Sequence, residues 1–258
     1  MQKDAASATF LSRIFYITIH AFVLLIVFTY ENSLKQSCTE FALDCYIFLS
    51  LKVLAIYFFF TVAKTQSIVT FSTELDSVEW PRPPQPFCET CNLTTSFRTK
   101  HCKKCEKCIS VFDHHCFWVG CCVGELNHFR FFLFLATESL CVWWVFFSSF
   151  SGLIEDTEGY GAFVVNIALM GVFGLFVGGM ALFHFYLISS GSTTWEVLSS
   201  HKIGHFKLYP KNFNPFNLGF FQNWKHVITV KIVSIWDLPQ PLYVYPFNWC
   251  DNEYWSCF

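Results

Sequence analysis

Four long apolar stretches alternate with polar connections along this chain of 258 residues. They run from about Ile14 to Tyr30, Phe41 to Ala63, Phe129 to Phe150 and Ala162 to Ile188. Because a helix of about 20 mainly apolar residues crosses a bilayer, the pattern predicts four transmembrane helices. Asp44 and Lys52 interrupt the second stretch. Asp44 lies near its end, and the long Lys52 side chain can reach the interface or face the bundle interior.

Lysine and arginine are unevenly distributed among the connections. The link between the first two stretches carries Lys35 alone, and the link between the last two carries neither residue type. Seven of the seventeen basic residues lie in the central link: Lys64, Arg82, Arg98, Lys100, Lys103, Lys104 and Lys107. Cytoplasmic loops carry an excess of lysine and arginine, so we predict that this link and both termini are cytosolic. Four crossings keep both termini on one side, which agrees with that orientation.

The predicted fold class is therefore an all-α integral membrane protein with four transmembrane helices and a cytosolic cysteine-rich domain between the second and third. The first apolar stretch is interpreted as a retained signal anchor, because no basic region precedes it and no small-residue cleavage site follows it. The predicted segments are a cytosolic N-terminus at 1–13, two helices at 14–63, the cysteine-rich domain at 64–128, two helices at 129–188 and a cytosolic C-terminal region at 189–258.

Composition agrees with a membrane protein. Hydrophobic residues make up 53% of the chain and charged residues only 14%, whereas about a quarter of a soluble domain is usually charged. A net charge of −2 gives no reason to expect nucleic acid as a partner. We expect a multi-pass protein of the endomembrane system (endoplasmic reticulum or Golgi) or of the plasma membrane, with the lipid bilayer as its surroundings.

The stretch from Cys88 to Cys122 holds eight of the thirteen cysteines and three of the nine histidines. Zinc takes four Cys or His ligands in a closed structural site, often as C-x2-C pairs. Two such sites leave three of the eleven candidates over, which we take to be His114, Cys116 and Cys121. The simplest partition is interleaved, with one site of Cys88, Cys91, His101 and Cys108 and another of Cys102, Cys105, His115 and Cys122.

Spacing does not decide whether Cys121 or Cys122 is the last ligand. A plain zinc scaffold without chemistry is the main alternative for such a cluster. A disulfide framework is disfavoured, because thiols stay reduced in the predicted cytosolic location.

Asp113, His114 and Cys116 place an acid, a base and a thiol within four residues. A carboxylate can fix the tautomer of a histidine while the histidine takes the thiol proton. The thiolate is the nucleophile, and a neighbouring cationic histidine lowers the pKa of a cysteine. We therefore predict that Cys116 carries the chemistry.

These motifs resemble the cysteine-rich domain of the DHHC family of protein S-acyltransferases (palmitoyltransferases). The shared pattern is Cys88-x2-Cys91, His101-Cys102-x2-Cys105-x2-Cys108, Asp113-His114-His115-Cys116-x-Trp118-Val119, Cys122-Val123-Gly124 and Asn127. The resemblance implies that Cys116 is acylated, with His114 as base, Asp113 as its partner and His115 as a zinc ligand. It also implies two structural zinc ions, with palmitoyl-CoA as the acyl donor. The proteins acylated would be membrane-associated substrates with cytosolic cysteines, and the resemblance leaves room for an accessory subunit.

The sequence departs from that family at three places. Phe117 stands where proline is usual, Gly120-Cys121 replaces an Asn-Asn pair, and Thr95-Ser96 replaces Lys-Pro. None of these changes removes a ligand or a catalytic residue. Residues expected near acyl-CoA are the basic Arg98, Lys100 and Lys103 and the aromatic Trp118. The basic run could equally meet anionic lipid or remain a solvated surface.

Further expectations concern the last two helices and the C-terminal region. Glu138 is predicted to pair with Lys52 across the bundle or to act in catalysis. Cys141 can share a helix face with Phe134 and Glu138, and if that face lines an acyl cavity, the small Cys141 side chain is expected to admit longer acyl chains. His184 is interpreted as a residue that caps its helix or meets headgroups. The resemblance extends to a supporting T-T-x-E motif at Thr193–Glu196 and to a stretch from Asn214 to Trp224.

Two other functions compete with acyl transfer. A non-catalytic, zinc-containing membrane adaptor would bind partners without turnover. A zinc hydrolase would need an open metal position and a general base such as the glutamate of H-E-x-x-H, and the sequence contains no such motif.

Overall fold

The computed structural model describes residues 2–72, 84–155, 158–210 and 213–238, together with the pairs 251–252 and 255–256. Arg82, one of the basic residues of the central link, lies outside the described residues.

Five helices account for the apolar stretches and one connection. They are α1 (Gln2–Thr29), α2 (Ser33–Thr39), α3 (Leu43–Lys64), α4 (His128–Glu155) and α5 (Tyr160–Ser189). Within the described residues, four helices are long and apolar enough to span a bilayer: Phe10–Thr29, Leu43–Lys64, His128–Ile154 and Tyr160–Ser189. The number of predicted helices is therefore confirmed. Helix α1 begins well inside the region predicted as a polar N-terminus, because a helix can continue into polar sequence beyond its apolar part.

The connection between α1 and α3 contains structure that the sequence reading did not predict. Asn32 is the N-cap of α2, and its side-chain oxygen accepts hydrogen bonds from the backbone N–H groups of Leu34 and Lys35. A disulfide joins Cys38 to Cys45, across the turn from α2 into α3. The short connection is thus fixed at both its entry and its exit.

The chain divides into two compact units, described separately below. The helical unit comprises 1–66, 115–123 and 127–186. The cysteine-rich unit comprises 67–114, 124–126 and 187–258. In the helical unit, α3 packs mainly on α4. Its apolar core has two clusters, one around Cys116, Phe59 and Phe131 and one around Phe48, Cys141 and Val145.

The region between α3 and α4 consists of short β-hairpins, so the all-α description holds only for the helices. Antiparallel pairs join β1 (Phe87–Cys88) to β2 (Leu93–Thr94) and β3 (Lys100–Cys102) to β4 (Lys107–Ile109). A third two-stranded sheet joins β5 (His114–Cys116) to β6 (Cys121–Val123). Each turn has one residue with a positive φ: Asn92 at 53°, Glu106 at 53° and Gly120 at 67°.

Gly120 explains one departure from the DHHC pattern. Its φ of 67° lies in the left-handed region, which glycine adopts freely and asparagine adopts more readily than most residues. Replacing asparagine with glycine at this position therefore preserves the turn between β5 and β6.

The C-terminal part of the cysteine-rich unit contains α6 (Thr194–Ser199) and α7 (Phe220–Thr229), with two short 3-10 turns between them. Aromatic residues form its core, with Phe97, Tyr209, Phe216 and Leu238 buried together. A last pair of strands, β7 (Asp251–Asn252) and β8 (Trp255–Ser256), is antiparallel.

Candidate active site and metal centre

Strand β5 carries the predicted base and nucleophile. Side chains alternate along a strand, so His114 and Cys116 lie on one face of β5 and His115 on the other. The sequence D-H-H-C thereby separates a residue predicted for chemistry from a residue predicted for metal binding. This separation follows from backbone geometry alone.

Asp113 is fixed in the cysteine-rich unit by hydrogen bonds to both oxygens of its carboxylate. Its Oδ2 lies 2.6 Å from Nδ1 of His114. Thr194 donates to the same carboxylate twice, from its backbone N–H to Oδ1 over 2.7 Å and from its hydroxyl to Oδ2 over 2.8 Å. Asp113 is 1% exposed. A buried carboxylate in this position sets the orientation of the imidazole ring and holds its proton on Nδ1, which leaves Nε2 to accept a proton.

Cys116 is buried in the helical unit and faces an apolar cavity. Aromatic residues surround the cysteine, among them Trp118, Phe131 and Phe134. The lining continues along α4 to Cys141 and Val145. Since α4 rises about 1.5 Å per residue, Val145 lies roughly 20 Å beyond Phe131 along the helix, a depth suited to a long alkyl chain.

A buried ionic network forms part of the cavity wall. Lys52 Nζ lies 3.0 Å from Oε1 of Glu138 and 3.0 Å from Nδ1 of His20. Tyr16 donates its hydroxyl to Oε2 of Glu138 over 3.0 Å. The predicted Lys52–Glu138 pair is therefore present, and His20 and Tyr16 are partners that the sequence reading missed. An ion pair with such additional hydrogen bonds can remain charged inside an apolar bundle.

The prediction that His184 caps its helix or meets headgroups is wrong. His184 is buried, at 0% exposure. Its Nδ1 is 2.9 Å from Nε2 of His128, and its ring packs edge-on against Phe131. The apolar periodicity of α5 contained no sign of this pairing, because His128 is 56 residues away. The two histidines instead tie the start of α4 to the end of α5.

The first predicted metal site is assembled within the cysteine-rich unit. Its four residues are Cys88, Cys91, His101 and Cys108, and their ligand atoms all lie within 4.8 Å of one another. His101 Nδ1 is 3.6, 3.3 and 3.9 Å from the three sulfur atoms. Tetrahedral zinc, with Zn–S near 2.3 Å and Zn–N near 2.0 Å, places nitrogen and sulfur ligands about 3.5 Å apart. These residues therefore fit one closed, structural zinc site.

The second predicted set is divided between the units. His115 and Cys122 belong to the helical unit, where Cys122 Sγ lies 3.7 Å from His115 Nδ1. Cys102 and Cys105 belong to the cysteine-rich unit, on the β3–β4 hairpin. Cys121 is buried, with its sulfur 3.9 Å from the backbone oxygen of Val62. Of the two adjacent cysteines, Cys122 is thus the one beside the histidine.

The residues predicted to lie near acyl-CoA have different environments. Arg98 is buried and forms a bidentate pair with Glu196, from Nε to Oε1 over 2.7 Å and from a terminal nitrogen to Oε2 over 2.8 Å. The ammonium of Lys100 lies over the rings of Trp195 and Phe112, and burial lowers its pKa. Lys103 is exposed, and Trp118 lines the cavity. That these four residues contact acyl-CoA stays a prediction.

The T-T-x-E motif forms a capping box at the start of α6. The Thr193 hydroxyl accepts from the Glu196 backbone N–H, and Oε2 of Glu196 accepts from the Thr193 backbone N–H. The same Glu196 carboxylate pairs with Arg98. The motif therefore presents Thr194 to Asp113 and anchors it through Arg98.

The stretch from Asn214 to Trp224 closes over the chain just after α5. Asn223 donates to the Ser189 carbonyl over 2.9 Å, and Asn214 donates to the Ser190 carbonyl over 2.8 Å. Gly191, which directly follows Ser190, has a φ of 63°, and a Cβ there would lie 2.9 Å from the Asn223 side-chain oxygen. Only glycine fits this crossing without displacing its neighbours.

Glu125 is a buried residue that the sequence reading missed. It accepts hydrogen bonds from the Ser110 hydroxyl, the Ser234 backbone N–H and the Trp236 indole, and it lies 3.3 Å from Nε2 of His226. Burial alone would raise the pKa of Glu125, but these hydrogen bonds keep the pKa below its ordinary value. Its donors lie about a hundred residues away, so no local pattern indicates them.

These features define a class of protein: an apolar helical bundle with a cysteine-rich region whose Cys and His side chains fit a metal site, and a thiol that faces a deep apolar cavity. Residues 82–201 match the family model described as DHHC palmitoyltransferase. The chain therefore contains a DHHC palmitoyltransferase domain, and the resemblance noted in the sequence is confirmed.

Several relatives share this domain. "Probable protein S-acyltransferase 1" of Arabidopsis thaliana is 35% identical over 65% of this chain and 53% of its own length. "Putative ZDHHC-type palmitoyltransferase 7" of Dictyostelium discoideum is 33% identical over 66% of this chain and 43% of its own. Human "Palmitoyltransferase ZDHHC12" is 32% identical over 57% of this chain and 56% of its own. The chain thus spans about half the length of these relatives.

Proposed function

We propose that this protein is a protein S-acyltransferase that moves a long-chain acyl group, such as palmitoyl, from acyl-CoA to cysteines of substrate proteins. The observation that carries the proposal is the position of Cys116. Its thiol faces a cavity deep enough for a long alkyl chain, and it lies two residues from His114 on the same face of β5. The DHHC domain and the names of the relatives, an S-acyltransferase and a palmitoyltransferase, support the same chemistry.

The first half-reaction forms an acyl-enzyme. His114, whose Nδ1 is held by Asp113, accepts the proton of the Cys116 thiol at Nε2. The thiolate attacks the thioester carbonyl of acyl-CoA, the bond from that carbon to the sulfur of coenzyme A breaks, and coenzyme A leaves with the proton. The alkyl chain lies in the cavity beside Phe131 and Phe134. Lys103, which is exposed, is the residue that we propose for direct contact with a coenzyme A phosphate.

The second half-reaction returns Cys116 to its free form. A cysteine of a membrane-associated substrate protein approaches the acyl-enzyme, and His114 accepts its proton. The substrate thiolate attacks the acyl carbon, and the Cys116 thiolate leaves and is protonated. This is a two-step, ping-pong mechanism in which the same base serves both steps.

The two zinc ions are proposed to be structural. The first site is the fitted cluster of Cys88, Cys91, His101 and Cys108. For the second we propose Cys102, Cys105, His115 and Cys122, on the count of remaining ligands and the 3.7 Å approach of Cys122 to His115. Four protein ligands leave no open position for water, so zinc supplies rigidity to the D-H-H-C segment.

We propose that the protein spans an endomembrane or the plasma membrane four times, with both termini and the cysteine-rich domain in the cytosol. The Cys38–Cys45 disulfide supports this orientation, because disulfides persist in oxidising compartments. Cysteines placed on the opposite side of the bilayer remain reduced, as zinc binding requires. A maleimide reagent should label Cys38 and Cys45 only after reduction, and only from the lumenal or extracellular side. Labelling of unreduced Cys38 from the cytosolic side would contradict the orientation.

The function is tested by transfer to a second molecule. The purified protein is supplied with labelled palmitoyl-CoA and a membrane-tethered peptide that carries one cysteine, with a serine version of the peptide as control. We expect hydroxylamine-sensitive label on the cysteine peptide and ping-pong kinetics in the two substrates. Zinc-loaded protein that never transfers label would favour the non-catalytic adaptor.

A further inference from the structure

The segment just after α7 is attached to the cysteine-rich unit at several points. Trp236 donates its indole N–H to Glu125 over 2.9 Å, and its carbonyl accepts from the Phe97 backbone N–H over 3.0 Å. Ser234 donates its backbone N–H to the same Glu125 carboxylate over 3.0 Å. This segment, 231–238, lies beyond the residues matched by the family model, which end at 201.

Trp236 also covers Arg98. The centre of the guanidinium lies 4.7 Å from the Trp236 ring and 4.6 Å from the Phe216 ring. An arginine between two aromatic faces, and already paired with a carboxylate, has little freedom to change rotamer. Trp236 therefore forms one wall of a cage that holds the Arg98 side chain.

Arg98 adopts a backbone conformation that needs such support. Its φ is 69°, in the left-handed region that side-chain-bearing residues rarely occupy. Conformations of this kind persist where the surrounding structure fixes them, and they concentrate at functional sites. The cage, the Glu196 pair and a hydrogen bond to the Gly191 carbonyl over 2.8 Å all act on this one residue.

Two short routes lead from Arg98 to Asp113. Along the backbone, the Arg98 carbonyl accepts from the N–H of Phe112, the residue that precedes Asp113, over 3.0 Å. Through side chains, Arg98 holds Glu196, whose capping box begins the helix that presents Thr194 to the Asp113 carboxylate. Displacement of Arg98 would therefore move Asp113 through both routes.

We propose that Trp236 is a positioning residue for acyl transfer, which acts through Arg98 to hold Asp113 and His114 in the orientation that proton transfer requires. The inference rests on the proposed function and extends its machinery to a segment outside the family match. Its alternative is that 231–238 is a structural cover whose loss affects stability alone.

The test compares Trp236→Ala, Trp236→Leu and Trp236→Phe in palmitoyl transfer from palmitoyl-CoA to the cysteine peptide. Phenylalanine keeps an aromatic face over Arg98, so we expect Trp236→Phe to retain at least half of the wild-type kcat. Alanine and leucine remove that face, and we expect kcat to fall about tenfold with KM for palmitoyl-CoA unchanged, because orientation and not binding is lost. Ile232→Ala and Ile235→Ala are matched controls, since these residues of the same segment are 79% and 57% exposed.

A double-mutant cycle then asks whether Trp236 acts through Asp113. Thr194→Val removes one hydrogen bond to Asp113. Because groups that act through a shared partner are not additive, we expect Trp236→Leu to cost about tenfold alone but less than threefold in the Thr194→Val background. An equal cost in both backgrounds would overturn the proposal.

The remaining outcomes are also decisive. Wild-type kcat in a zinc-loaded Trp236→Leu variant, or a lowered kcat that comes only with lost zinc and a lowered melting temperature in both the alanine and leucine variants, would assign Trp236 a structural role and refute the positioning role. Absence of label on the wild type would instead contradict the proposed function itself, so the two failures are distinguishable.

Discussion

Thr194 binds both oxygens of the Asp113 carboxylate, through its backbone N–H to Oδ1 over 2.7 Å and through its hydroxyl to Oδ2 over 2.8 Å. The two residues are 81 positions apart, so the motif that follows α5 donates two hydrogen bonds to the aspartate of the D-H-H-C segment. In the proposed mechanism, the T-T-x-E motif thereby acts on the orientation of His114.

This relationship predicts the effect of removing the hydroxyl. A hydrogen bond to a charged group contributes about 1.5–3 kcal/mol, and Thr194→Val keeps the side-chain size and the backbone donor. We expect acyl-enzyme formation to slow about tenfold, with zinc content unchanged. Thr194→Ser keeps the hydroxyl and should retain most of the rate. Equal rates for the valine and serine variants would show that the hydroxyl does not matter for Asp113.

The Lys52–Glu138 pair predicts an asymmetric stability effect. Lys52→Met leaves Glu138 buried without its cation, which should lower the free energy of unfolding by about 3–5 kcal/mol. Replacing both partners, as Lys52→Met with Glu138→Leu, removes the uncompensated charge and should recover most of the loss. Thermal unfolding in detergent measures both variants. A double variant as unstable as Lys52→Met would refute the pairing as the cause.

Cys141 lies on the cavity wall beyond Glu138, as the helical spacing predicted. Cys141→Phe should fill the deeper part of the cavity and shift acyl-CoA preference towards shorter chains, by about tenfold in the ratio of kcat/KM for shorter over longer donors. Leu140→Phe is the matched control, because Leu140 is 55% exposed on the outside of α4. An unchanged ratio in the Cys141 variant would remove this residue from chain-length selection.

His205 predicts how stability changes with pH. Burial, and then the nearby Arg98, lower the pKa of His205 to about 4 from its ordinary 6.5. The folded protein thus keeps His205 neutral where the unfolded chain takes up a proton, so its contribution to stability is lost as pH falls from 6.5 towards 4. The melting temperature of His205→Phe should therefore fall less over this range than that of the wild type. The exposed His201, replaced in the same way, serves as control and should follow the wild type; a parallel fall in both variants would exclude His205.

The sequence predicted those parts of the structure that depend on local pattern. Four apolar stretches were long enough to identify the four long apolar helices, and C-x2-C spacing identified the Cys88, Cys91, His101 and Cys108 cluster. Both the apolar stretches and the C-x2-C spacing are local signals, because they come from residues that are close to one another in the sequence.

The features that were missed depend on tertiary contacts. Arg98 belongs to a basic run, and nothing in that run indicates that it is buried against Glu196, 98 residues away. The same reason explains why Glu125, Trp236 and the His128–His184 pair were missed: their partners are far away in the sequence. The Cys38–Cys45 disulfide was missed because one of its cysteines lies on a helix of seven residues, α2, that the apolar pattern does not indicate.

The assignment of Cys116 as the nucleophile is tested most directly by measuring acyl-enzyme formation with mass spectrometry of the intact protein. The purified, zinc-loaded protein is mixed with palmitoyl-CoA, and the wild type is compared with Cys116→Ser and Cys121→Ser. We expect one hydroxylamine-sensitive palmitoyl group on the wild type and on Cys121→Ser, and none on Cys116→Ser. A palmitoyl group that persists on Cys116→Ser, or its absence from zinc-loaded wild type, would contradict the assignment of Cys116 as the nucleophile.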